Sequence, residues 1–128
     1  RLGPLDAGKS MADLAPGLVA GLVGESADPA GVAAAQACMG AVPPETYRLA
    51  VKNLLTFDRR ASLGQIAVPT LLVAGDKDRT APVEVMRRMG EKIPGAKFVS
   101  LPKAGHLMSF EQPAAYDAAI ADFLQTLR

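Results

Sequence analysis

Apolar and polar positions alternate in a readable order over the second half of the chain. Thr70 to Ala74 is a short apolar run bounded by Pro69 and Gly75, the pattern of a parallel strand buried on both faces. Pro82 then opens a helical stretch in which Met86, Met89 and Ile93 form an inner stripe. Arg87, Arg88, Glu91 and Lys92 turn away from that stripe, and Pro94-Gly95 ends the helix. Lys97 to Leu101 reads as the next strand. Pro113 opens a last helix whose Tyr116, Ile120, Phe123 and Leu127 share one face. Strand, helix, strand, helix is the signature of an α/β fold, with parallel strands joined by a right-handed crossover.

Upstream of Ile66 the pattern is helical and rich in alanine and glycine, so the chain divides at about Gln65, into residues 1–65 and 66–128. Met11, Leu14, Leu18 and Leu22 fall on one helical face. Asp28-Pro29 supplies an N-cap followed by proline at the first helical position, and Pro43-Pro44-Glu45 opens a further helix carrying Tyr47, Val51, Leu54 and Leu55. Three short amphipathic helices are expected here, their stripes serving packing. No internal repeat or low-complexity linker interrupts the chain.

Composition sets limits on partners more than on fold. With 128 residues and 49% hydrophobic content the chain is in the size range of one domain. A formal net charge of +1, with no basic run longer than a pair, supplies no field to attract nucleic acid or an anionic membrane. The single cysteine, Cys38, excludes an internal disulfide and is compatible with a cytoplasmic protein. No apolar stretch is long enough to cross a bilayer, and no secretion signal is visible. The first residue is Arg1 rather than methionine, which suggests processing or an incomplete coding sequence.

The chemistry-bearing residues gather after the two strands. Gly75-Asp76-Lys77-Asp78 follows the first, and Gly105-His106, the only histidine, follows the second. Loops at the carboxyl ends of parallel strands converge at one edge of the sheet. An acid and a histidine can therefore meet there although far apart in sequence. A carboxylate bonded to one ring nitrogen fixes the tautomer, so the other nitrogen can take a proton from a nucleophile and return it to a leaving group. Spacing alone leaves Asp76 and Asp78 open as that acid, because Gly-Asp-Lys-Asp also suits a plain turn.

Val68-Pro69-Thr70 before the apolar run, Gly75-Asp76-Lys77-Asp78 after it, and Gly105-His106 followed by Glu111-Gln112-Pro113 together resemble the α/β-hydrolase family. The resemblance runs over the whole chain but matches the carboxyl-terminal portion of the family's fold. It implies a helical cap or lid over residues 1–65, followed by the last β-α-β-α unit of the core. It implies Asp78, rather than Asp76, as the triad acid and His106 as the triad base, in a family whose triad runs nucleophile, acid, histidine. The expected partner is the missing amino-terminal half of the same fold, because no Gly-x-Ser-x-Gly elbow and no glycine-rich oxyanion loop is present. The oligomeric state is open.

Candidate nucleophiles within the chain fit poorly. Ser26 has the right order relative to Asp78 and His106, yet Asp28 stands where the elbow needs its second glycine and Pro29 would interrupt the helix that must follow. Gln36-Ala37-Cys38-Met39-Gly40 grazes a cysteine-protease signature, but the only histidine lies on the wrong side of it, so Cys38 reads as a small buried cap residue. Ser109 reads as part of the start of the last helix. Arg59 and Arg60 could clamp a substrate carboxylate, though Asp58 beside them more naturally caps a short helix. One histidine and one cysteine do not make a metal site, and no phosphate cradle is present.

What the resemblance implies is a cofactor-free hydrolase acting on an ester, a lactone or a related carbonyl substrate of small size, with this chain inactive when alone. Haloalkane or epoxide hydrolysis, with a carboxylate nucleophile, is the alternative inside the family. A noncatalytic α/β binding module or pseudoenzyme is the alternative outside it. A receiver-like phosphoacceptor using Asp76 and Asp78 would need further strands and a separately placed lysine.

Overall fold

The computed structural model describes residues 2–128. Its centre is a two-stranded parallel sheet, β1 (Leu71–Gly75) beside β2 (Lys97–Leu101), with Leu71 opposite Lys97 and Gly75 opposite Leu101. Both strands sit where the apolar runs predict them. Side chains alternate across a strand, so Leu72 and Phe98 face one side and Leu71, Val73 and Val99 the other. Helix α5 (Val83–Glu91) covers the first side: Leu72 approaches Gly90, and the Arg87 guanidinium lies 4.8 Å above the Phe98 ring. Helix α7 (Pro113–Gln125) covers the second side, where Leu71, Val99, Ala119 and Phe123 line a common cleft. The central unit is thus a helix, sheet, helix sandwich.

The first half forms α1 (Gly3–Asp6), α2 (Met11–Ala20), α3 (Pro29–Gly40) and α4 (Pro44–Thr56), followed by a 3-10 helix over Arg60–Gln65. A capping box starts α2: the Ser10 hydroxyl accepts from Asp13 N, and the Asp13 carboxylate accepts from Ser10 N. Asp28 caps α3 by accepting from Ala30 N and Gly31 N. Small residues let these helices lie close. A Cβ on Gly40 would stand 3.2 Å from the Ala12 Cα, and one on Gly31 would overlap the Phe110 backbone of α6 (Met108–Glu111). Helix α3 therefore ties the first half of the chain to the second.

Several sequence expectations need correction. The buried face of α2 is Met11, Ala15 and Val19, while Leu14, Leu18 and Leu22 lie only half-buried at its margin. Helix α2 packs against α3, and an alanine in the middle of the buried face permits closer approach than a leucine would. Helix α4 has no buried residue, and Leu54 and Leu55 on its expected stripe are exposed, Leu55 by 82%. Its firmest link is polar: Arg48 pairs with Asp6 of α1 and, at 3.3 Å, with Glu45. Cys38 is exposed rather than buried; α3 is apolar nearly all round, so one apolar side must remain outside. The expected three helices of residues 1–65 are joined by α1 and the 3-10 helix, both too short to leave a period in the sequence. Among the described residues, no helix is long and apolar enough to cross a membrane.

Candidate active site

The parallel register brings Gly75 and Leu101 to the same edge, and the loops beyond them lock together through the backbone. Asp76 N donates to Leu101 O at 3.0 Å and Lys77 N to Ala104 O at 2.8 Å. Gly75 is required by this closeness, because a Cβ there would overlap the Ala104 and Gly105 carbonyls. The two acids of the turn then separate. The Asp76 carboxylate accepts from Lys103 N at 2.6 Å and holds that residue's left-handed backbone, φ 63°. The Asp78 carboxylate turns inward.

Asp78 Oδ1 accepts from Thr80 N at 2.8 Å and Ala81 N at 2.9 Å, while Oδ2 lies 2.8 Å from His106 Nδ1. The Asp78 side chain is 3% exposed and that of His106 38%. A buried acceptor thus grips one ring nitrogen and the rest of the imidazole reaches solvent. With Nδ1 engaged as donor, Nε2 is left as the basic nitrogen. The two sequence candidates therefore meet, and Asp76 does not make the contact. Asp78, though not His106, borders a cleft of about 270 Å³ whose other walls include Val23, Glu25, Lys77 and Arg79.

The third loop of the site comes from the first half of the chain. His106 N donates to Leu22 O at 2.6 Å. Glu111, 3% exposed, accepts from Gly24 N, Gly105 N and Leu107 N at 2.6–3.2 Å. In the sequence Glu111 is visible only as part of the Glu-Gln-Pro run after the histidine. Its partners are backbone N–H groups, which no side-chain pattern announces.

The other candidates lie apart. Ser26 occupies an exposed turn that follows a helix and a loop, not a strand, and no hydrogen bond joins it to His106 among the described residues. Ser109 is exposed within α6. Arg60 is not a free clamp: its guanidinium forks onto Asp58 at 2.6–3.1 Å, while Arg60 N donates to Asp58 Oδ1 at 3.0 Å. That guanidinium holds the Asp58 carboxyl well below the usual carboxylate range. Among the described residues no three metal-ligating side chains converge.

Comparison with known proteins gives a consistent set of relatives. A family model described as the alpha/beta hydrolase fold matches residues 12–113. The chain is 37% identical over 74 residues to a protein of Pseudomonas savastanoi pv. phaseolicola provisionally named carbamate hydrolase RutD, covering 58% of this chain and 29% of that one. It is 36% identical over 63 residues to the pimeloyl-acyl-carrier-protein methyl ester esterase of Nitrosomonas europaea, covering 49% of this chain and 25% of that one. Among solved structures, a thermophilic esterase from Thermogutta terrifontis superposes with a TM-score of 0.82 at 29% identity, over 91% of this chain and 44% of that one. The enol-lactonase of Burkholderia xenovorans superposes at 0.79 with 26% identity, over 90% and 45%. The chain therefore spans under a third of these curated relatives and under half of these solved ones.

Proposed function

The chain belongs to the α/β-hydrolase family, and from that premise we propose that it supplies the acid and the base of a catalytic triad in a cofactor-free hydrolase of esters, lactones or related carbonyl compounds. The observation that carries this reading is the 2.8 Å contact between Asp78 Oδ2 and His106 Nδ1. Asp78 accepts the Nδ1 proton and fixes the tautomer. Nε2 then removes the proton from a nucleophile as it attacks the carbonyl carbon, and the resulting imidazolium, stabilised by Asp78, returns that proton to the leaving group.

The nucleophile and oxyanion donors belong, in this reading, to a segment of the fold outside these 128 residues, and that segment is the partner the site requires. Residues 1–65 act as the lid, and the 22–24 loop brings the lid side of the chain against the histidine. The names of the relatives, an esterase and an enol-lactonase among them, favour an acyl carbonyl over a haloalkane or epoxide. The lone, unpaired Cys38 is compatible with a cytoplasmic site of action.

A reporter ester tests the reading. Alone, the 128-residue chain should hydrolyse it no faster than its His106→Ala variant, because the oxyanion donor by itself is worth about 2.7–4 kcal/mol. Joined to the nucleophile-bearing segment, activity should appear and be lost with His106→Ala. No activity in the joined protein would favour a noncatalytic module instead.

A further inference from the structure

We propose that Glu111 is a positioning residue that sets His106 in register with Asp78, an inference that rests on the acid and base reading above. Gly105 and Leu107 are the two chain neighbours of His106, and both donate their N–H groups to this one carboxylate. The histidine's own N–H is fixed on Leu22 O at 2.6 Å. Every peptide N–H from Gly105 to Leu107 is thereby committed. Among the described residues the ring has one hydrogen bond, to Asp78, and its side chain is 38% exposed, so its aim depends on where the backbone holds its Cα.

The same side chain reaches across the fold. Gly24 N donates to Glu111 Oε2 at 3.0 Å, across 87 positions of sequence, and Glu111 O accepts from Asp28 N at 3.3 Å. One residue therefore joins the loop ahead of α3 to the histidine loop. No bulkier packing could replace that link: a Cβ on Gly105 would stand 2.5 Å from Leu22 O, and one on Gly24 would overlap Lys103 O. The chemistry is also specific. All three side-chain partners are donors and both carboxylate oxygens are used, so a glutamine would place an NH₂ donor against N–H donors.

The test uses the 128-residue chain with labelled histidine, leucine and methionine, in which every imidazole signal belongs to His106. Magic-angle-spinning NMR reads the Nδ1 proton bonded to Asp78 whether or not the chain self-associates, with Leu72 and Met86 shifts as reporters of the fold. The signal should be present in the native chain, absent in Asp78→Asn, lost in Glu111→Gln with the reporters unmoved, and partly restored in Glu111→Asp, which keeps two acceptor oxygens. A folded Glu111→Gln chain with an unchanged signal overturns the proposal. So does unfolding of both Glu111 variants while Asp78→Asn stays folded, which would make Glu111 a stability residue only. A native signal insensitive to Asp78→Asn overturns the acid and base reading itself, and this inference with it.

Discussion

Asp76 and Asp78 stand two positions apart on one turn, and their carboxylates have different partners: the backbone N–H of Lys103 for the first, the His106 ring for the second. The two substitutions should separate accordingly. In the joined hydrolase, Asp78→Asn should lower kcat roughly 10⁴-fold by losing the tautomer and the imidazolium's counter-charge. Asp76→Ala should leave the His106 Nδ1 signal in place and cost about 1 kcal/mol, one solvent-accessible hydrogen bond, read as a shift of the urea midpoint. The meeting of an acid with His106 was legible because both follow parallel strands whose loops converge at one sheet edge, whereas the choice of Asp78 over Asp76 came from the family resemblance and not from spacing. Glu111 was not, because its bonds run to backbone groups whose positions depend on the whole loop arrangement.

Among the elements, β1, β2 and the sheet-facing stripes of α5 and α7 follow the apolar pattern, with Met86, Met89, Tyr116, Ile120 and Phe123 half-buried, though Leu127, expected on the same face of α7, lies beyond the helix end and is exposed. Helices α2 and α3 do not. Their buried residues are Met11, Ala15, Val19 and Ala35, and alanine carries too weak a signal to mark a face. Periodicity reports that a helix is amphipathic; it says nothing about whether a partner is present, as the exposed Leu54 and Leu55 of α4 demonstrate. Two substitutions distinguish local from tertiary support. Ser10→Ala removes the cap of α2 and should cost about 1 kcal/mol. Gly31→Ala drives a Cβ into the Phe110 backbone and should cost about 1–3 kcal/mol. Urea titration of the joined protein should rank Gly31→Ala as the more damaging, and only this variant should disturb the His106 signal of the labelled chain, since α6 carries Glu111.

At the scale of the molecule, the accessible surface is 8265 Å² for 13.3 kDa, roughly a quarter more than the about 6,500 Å² expected for a compact monomer of that mass. Large apolar side chains stand exposed, Leu55, Phe57 and Val68 among them. A sheet of two strands cannot pair both edges of β1, so the isolated chain should bind a hydrophobic dye and self-associate. A sharp cooperative melt from a well-behaved monomer would contradict this. Overall composition could not reveal the deficit, because 49% hydrophobic content is that of an ordinary domain whether or not its apolar faces find cover. A serine-directed phosphonate, with its adduct located by mass spectrometry, shows whether the proposed acid and base of this chain serve a nucleophile elsewhere in the fold. No adduct should form on the isolated chain, and a single adduct should form on the joined protein, outside residues 1–128 and lost with His106→Ala. Stoichiometric labelling of Ser26 in the isolated chain, abolished by His106→Ala, would contradict it.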